Sequence, residues 1–252
     1  SGHQMLVALP RIDGLARADD LADGTGALVD AVGSAWHGPS APAVRLLPGL
    51  LPIEELPEKD ELAGADAGLA VGIHEMDLSP MRLDFAADPH FFLLADAQSG
   101  KTAYLRVLAN RICQAYTPDE ARIVLIDHRR GLLGEISEKH LLGYGINDEH
   151  SRGLLAEVAE AMAKRLPGQD ITPEQLRARN WWRGPEIFVL VDDYDMVATH
   201  QEHPLMHLLP LAAQGSDIGL HVVLARRTGG AGRGLFEPFL ARLREVGTPG
   251  LM

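Results

Sequence analysis

The residues best placed to do chemistry lie in Phe91 to Thr102, FFLLADAQSGKT. A short apolar run ends in small and polar residues, and Gly100-Lys101-Thr102 then opens a helical pattern. A buried strand, a turn with exposed backbone N–H groups and a helix N-terminus together cradle anions, because unpaired amides and the helix dipole both favour negative charge. In the loop pattern G-x-x-x-x-G-K-[ST], the lysine reaches the β/γ-phosphates and the hydroxyl holds Mg²⁺. On that pattern Asp96, Ala97, Gln98, Ser99, Gly100, Lys101 and Thr102 are the expected nucleotide contacts, with Thr102 also at the metal. Ala95 departs from it, standing where a glycine is expected, and Gln98, at a free position of the pattern, puts a long side chain near the phosphate path. An ordinary strand-turn-helix with a solvated lysine is the plainer alternative, and the motif alone leaves both open.

A second signal is Ile187 to Asp193, IFVLVDD. An all-apolar strand that delivers an acid at its carboxyl end is what a Walker B element needs. The strand is expected to be buried beside the P-loop strand, with Asp192 holding Mg²⁺ through water. It follows the loop by about ninety residues with one strand-helix unit between, an order that suits P-loop ATPases with an additional strand. The residue that should polarise the attacking water is a glutamate in that pattern; here it is Asp193, one methylene shorter. Taken alone, a helix N-cap or loop acid after a core strand is the commoner reading of Asp192.

Arg226-Arg227 follow the apolar run Leu220 to Leu224. Ligands of open α/β sheets sit beyond the carboxyl ends of the strands, which makes Arg227 a candidate for the γ-phosphate, with solvated loop arginines as the alternative. The same position argument covers Asp127-His128-Arg129-Arg130, after another apolar run, where the solvated-loop reading is preferred. His200, His203 and His207 read as surface histidines, since Pro204 interrupts them and no acid or cysteine completes a metal set. A metal site built from Asp192, Asp193 and Asp195 without nucleotide is less economical than one that uses the lysine motif.

The elements that must position these residues begin at His90, where strand and helix alternate. Leu105, Leu108 and Ile112 mark a helix after the loop, and Ala121 to Ile126 a buried strand. Ser151 to Leu166 has helical spacing, and Thr172-Pro173-Glu174-Gln175 has the form of an N-cap, first-turn proline and capping-box glutamine. The strand Ile187 to Val191, a helix over His203 to Ala213, the strand Leu220 to Leu224 and a helix over Leu235 to Val246 follow. Alternation of this kind predicts an α/β fold, a mostly parallel sheet with helices on both faces. Residues 1–89 predict N-terminal strands at Met5–Leu9 and Val44–Leu47, a helix over Thr25–Trp36, and a β-hairpin from Leu69–Ile73 and Met81–Phe85. They precede a P-loop core over residues 90–252 of a single 1–252 domain. Thr248 to Met252 is where a further strand is expected to start, so the core reads as truncated there.

The chain has 252 residues, 46% hydrophobic and 23% charged, with a formal charge of −12, so a general nucleic-acid-binding surface is not expected. One cysteine, Cys113, excludes an internal disulfide framework. No apolar run is long enough to span a bilayer and no signal-peptide pattern opens the sequence, which makes the cytosol the default expectation.

Several strings in order, Met5-Leu-Val-Ala-Leu-Pro-Arg-Ile-Asp-Gly14, Asp127-His-Arg-Arg-Gly-Leu-Leu133, Val191-Asp-Asp-Tyr-Asp195 and Ala225-Arg-Arg-Thr-Gly-Gly230, resemble the EccC ATPases of type VII (ESX) secretion. These belong to the FtsK/SpoIIIE branch of P-loop motors and carry several ATPase domains on one chain; the middle two strings look most like the C-terminal, third domain. The resemblance implies a RecA/FtsK-like core with ATP and Mg²⁺ at Gly100, Lys101, Thr102 and Asp192, and a place at the cytoplasmic face of the inner membrane. As partners it implies sister ATPase domains and small WXG-type substrates with a C-terminal export signal; the membrane is met only through the larger complex. Ala95, Gln98 and Asp193 weaken the hydrolytic pattern, as is usual for the later domains of this family. Two functions are therefore expected in competition: a slow ATPase within a translocation motor, or a docking module that recognises export signals without turnover.

Overall fold

The computed structural model describes residues 8–39, 44–58, 68–178, 180–229 and 237–251, in two compact units, Ser1–Arg45 and Leu46–Met252. In the first unit helix α1 (Leu21–Ala35) begins a turn earlier than Thr25. Arg11 lies against Gly24 of that helix, where a larger residue would meet its guanidinium, and pairs with Asp13 at 2.6 Å and with Asp20. The strand expected at Met5–Leu9 falls mostly outside the described residues. Val44 to Leu47 forms no strand. Pro48 directly after it has no N–H to give a ladder.

In the second unit, β1 (Leu69–Ile73) and β2 (Pro80–Leu83) make the expected antiparallel hairpin. Six further strands form one parallel sheet: β3 (His90–Leu94), β4 (Ala121–Ile126), β5 (Leu141–Gly145), β6 (Glu186–Val191), β7 (Leu220–Arg226) and β8 (Gly250–Leu251). Their order is β5-β4-β6-β7-β3-β8. Successive residues of a strand face opposite sides, and the central strands are apolar on both. Val124, Ile126, Val189, Val191, Val222 and Leu224 face one side. Leu155, Val158 and Met162 of α3 (Asp148–Ala163) cover them, with a 3₁₀ segment (Pro204–Gln214) and the helix Pro238–Glu245. Ile123, Leu125, Phe188, Leu190, Val223 and Ala225 face the other side, under Leu105, Leu108 and Ile112 of α2 (Lys101–Ala115) and the hairpin. Each of the larger side chains among these, taken fully out of water, contributes about 1.5–3 kcal/mol. This two-faced core holds the strand ends, and the loops that leave them, in fixed relation.

Three local expectations change. The strand β6 does not lie beside β3: β7 sits between them and pairs with both. Two strands, β4 and β5, separate the loop from β6, not one; and the His203–Ala213 stretch is 3₁₀ rather than α, with Pro204 and Pro210 each withholding a donor. The capping box stands as read: Gln175 N donates to Thr172 Oγ1 at 3.2 Å, and Thr172 N to Gln175 Oε1 at 3.0 Å. β8 starts within the expected stretch and pairs with β3 through Phe92 and Leu93.

Candidate functional site

Because β3, β4, β6 and β7 run parallel, their carboxyl ends and the four loops that leave them share one edge of the sheet. There lies a cleft of about 560 Å³, lined by residues 97–103 together with Arg129, Asp193 and Arg227. Sequence positions more than ninety residues apart thus converge on one cavity. The loop from β3 to α2 builds its floor. Ala95 still extends the ladder, its N–H donating to Arg226 O at 3.1 Å, so no glycine is needed there. The left-handed positions are Gln98 (φ 61°) and Gly100 (φ 89°). A Cβ at Gly100 would meet nothing within 4 Å, so its demand is conformational rather than steric.

Lys101 is not the solvated lysine of the plainer alternative. It is buried, and its Nζ donates to Ala95 O at 3.1 Å and Asp96 O at 2.6 Å, which folds the ammonium back over its own loop. Ser99 Oγ donates to Asp96 O at 2.6 Å, and the Asp96 carboxylate accepts from Thr228 after β7, tying the loop to the neighbouring strand's exit.

Thr102 Oγ1 donates to Asp192 Oδ2 at 2.6 Å, and Asp193 N donates to Asp192 Oδ1 at 3.0 Å. Burial pushes the Asp192 carboxyl above its ordinary range, with smaller upward pushes from Asp193 and Asp127 and an opposing pull from the Thr102 hydroxyl. An acid that resists ionisation when nothing neutralises it is well suited to a divalent cation. Mg²⁺ takes oxygen ligands and keeps several waters, and the hydroxyl-carboxylate pair of Thr102 and Asp192 fits that demand. The cleft's exposed loop amides and three cations, Lys101, Arg129 and Arg227, set against the single carboxylate of Asp193, fit a polyphosphate.

Of the residues picked from the sequence, 97–102, Asp193 and Arg227 line the cleft, while Asp96 and Asp192 brace it from behind. Arg227 is held by its backbone, N to Asp195 Oδ2 at 3.0 Å; Arg226 is turned away into an ion pair with Asp195 Oδ1 at 2.9 Å. Two expectations are corrected. Arg129, read as solvated loop, lines the cleft and pairs with Asp193. The rule that applied to Arg227, position just past a strand's carboxyl end, applies to Arg129 as well. His203, read as a surface histidine, is fully buried: its Nε2 lies 2.9 Å from Glu237 Oε1, and Tyr194 OH donates to Glu237 Oε2 at 2.5 Å. Burial raises the Glu237 carboxyl, yet the bonds from His203, Tyr194 and two helix N–H groups outweigh it and hold the group at about 2. No cluster of metal-ligating side chains occurs among the described residues.

No protein-family model matches the chain. It is 45% identical over its whole length to the ESX secretion system protein EccC of Thermomonospora curvata, of which it covers 19%. It is 38% identical to EccC4 of the ESX-4 system of Mycobacterium tuberculosis, again over the whole chain and 19% of the relative. To EccCb1 of the ESX-1 system of Mycolicibacterium smegmatis it is 33% identical over 99% of this chain and 43% of the relative. The chain thus spans about a fifth of the length of the first two relatives. Among solved structures, the cytoplasmic domain of the T. curvata type VII secretion ATPase EccC superposes with a TM-score of 0.79 over 98% of this chain and 28% of that one, at 45% identity. ATPases 2 and 3 of the same EccC, in complex with a signal sequence peptide, give 0.80 over 98% of this chain and 44% of theirs.

Proposed function

Since the chain belongs to the EccC ATPase domains of type VII (ESX) secretion, in the FtsK/SpoIIIE-like P-loop group, we propose that it binds ATP-Mg²⁺ and hydrolyses it slowly within a secretion motor. The hydrogen bond between Thr102 and Asp192 carries this reading, because it joins the end of the phosphate loop to the acid after β6 at the place where a cation would sit. Lys101, Arg129 and Arg227 would neutralise the phosphates, with the loop amides of 97–102 as donors, and a Mg²⁺ held by Thr102 and Asp192 would supply charge stabilisation to the transfer. Asp193 and Arg227 are the residues proposed to face the reacting phosphate, and Asp193 falls short of where a glutamate would hold the water. Sister ATPase domains of the same motor would supply what one domain lacks, and a site at the cytoplasmic face of the inner membrane follows from that assembly.

A second reading rests on the T. curvata relative, whose ATPases 2 and 3 were solved with a signal sequence peptide. In it, the domain docks the C-terminal export signal of a small WXG-type substrate with or without nucleotide. Away from the cleft, between α3 and β5, a pocket lined by Leu142, Leu154, Glu157 and Arg165 over the buried Val158 and Met162 would take an apolar anchor of such a helical segment. One preparation separates the readings. Phosphate release by the isolated domain should stay well below about 1 s⁻¹, the lower end of the ordinary enzyme range, and Asp193→Glu alone should gain little. ATP-Mg²⁺ should bind saturably. A domain that binds only the export-signal peptide, or that turns over at about 1 s⁻¹ unaided, overturns the first reading.

A further inference from the structure

Arg129 sits at the tip of a braced turn. Its N–H donates to Asp127 Oδ1 at 3.0 Å, and Asp127 Oδ2 accepts from Leu132 N at 2.9 Å and Tyr144 OH at 2.8 Å. Asp127 itself is buried, so the turn is fixed from beneath, and a Cβ at Gly131 would stand 3.3 Å from the Thr102 methyl, which sets the turn against the first residues of α2. From this mount the guanidinium crosses the cleft to the Asp193 carboxylate, with Nε also 3.0 Å from Met196 Sδ. Asp193 receives it from a left-handed backbone (φ 46°), a conformation aspartate tolerates better than most residues. The Arg129 side chain is half exposed (51%), while that of Asp193 is largely covered (17%).

The pair has two features that a purely structural bridge lacks. Both partners line the phosphate cleft, so a ligand arriving there meets them together. And the pair is half solvated, so water screens it and it is easily exchanged for a stronger partner. A terminal phosphate carries more charge than a carboxylate and presents several acceptor oxygens to the planar fork of an arginine. Lys101 is engaged by its own loop, and Arg227 is not tied to Asp193. Arg129 is therefore the cleft cation whose change of partner alters the state of Asp193.

Resting on the ATP-binding reading, we propose that Arg129 reads the terminal phosphate: without nucleotide it neutralises Asp193, and with ATP it exchanges that carboxylate for the γ-phosphate and releases Asp193. ADP lacks the group that competes, so the exchange distinguishes the two nucleotides.

A double-mutant cycle on binding tests it, with ATP and ADP titrated separately in Mg²⁺ by calorimetry against wild type, Arg129→Ala, Asp193→Asn and the double variant. Arg129→Ala should weaken ATP about tenfold and leave ADP within about twofold, since one charge-assisted contact is lost. Asp193→Asn should tighten ATP about threefold by removing the competitor, and that gain should vanish in the Arg129→Ala background. A gain from Asp193→Asn that survives without Arg129 is general charge repulsion and overturns the exchange. So does an Arg129→Ala variant that loses ATP and ADP alike, or neither. A wild-type domain that binds neither nucleotide overturns the ATP reading itself, and this inference with it.

Discussion

At the scale of single residues the site trades stability for readiness. Asp192 is buried and its carboxyl is pushed above the ordinary 3.8, so the folded protein holds the proton more tightly than the unfolded chain. The sign follows from linkage: below 3.8 both states are protonated and nothing is lost, and as pH rises past that value the unfolded chain ionises first, so stability falls and stays lower at neutral pH. Asp192→Asn should therefore stabilise the free protein at pH 7. The gain should shrink towards zero below pH 4 in urea titrations at the two pH values; an equal gain at both would mean that charge is not its cause. That Thr102, after Gly100 and Lys101, meets Asp192 was legible in the sequence because a strand-turn-helix loop and a strand-end acid are local patterns. The left-handed turns at Gln98 and Asp193 and the Arg129–Asp193 pair were not. They depend on how two loops meet across the sheet edge, which no local spacing encodes.

Among the elements, β3 matters most, since it aims the phosphate loop, and His90 at its first position fastens it. His90 Nδ1 accepts from Val222 N at 3.1 Å and Nε2 donates to Ala212 O at 2.8 Å, so one neutral ring joins β3 to β7 and to the 3₁₀ segment. Burial lowers His90 to about 4, helped by His221 and opposed by the Ala212 bond. A depressed folded value means that the unfolded chain takes up the proton first. Stability is full above the ordinary 6.5 and is lost as pH falls from there to about 4, by roughly 3 kcal/mol. Chemical denaturation across that window should show the loss, and His90→Gln, which keeps a donor for Ala212 but does not titrate, should flatten it while costing stability at pH 7. A slope unchanged by the substitution would place the titration elsewhere. The all-apolar β6 was legible because a strand covered on both faces has to look that way. β5 was not, because two glycines in five residues, LLGYG, weaken the strand signal. Its glycines serve packing instead: a Cβ at Gly143 would stand 2.4 Å from Leu154 and one at Gly145 2.5 Å from Ser151, so they let α3 close on the edge strand.

For the whole molecule, the alternation of strands and helices announced a doubly covered parallel sheet, and the order β6-β7-β3 supplies the additional strand that the spacing of the two motifs anticipated without locating it. The neighbour of the phosphate-loop strand is set by long-range pairing, so the sequence placed β6 there when β7 belongs. A surface of net charge −12 leaves the cleft, with three cations against one carboxylate, as a local reversal of sign suited to an anion. The central claim is that this reversal is a nucleotide site. Its most direct test is a calorimetric titration of the domain with ATP-Mg²⁺ beside the Lys101→Ala variant, with thermal melts of both. The Lys101 ammonium bonds only to loop carbonyls that water can take over, so the account predicts saturable binding by the wild type, its loss in the variant and closely similar melting temperatures. Equal affinity in the two proteins, or no binding by the wild type, would contradict it.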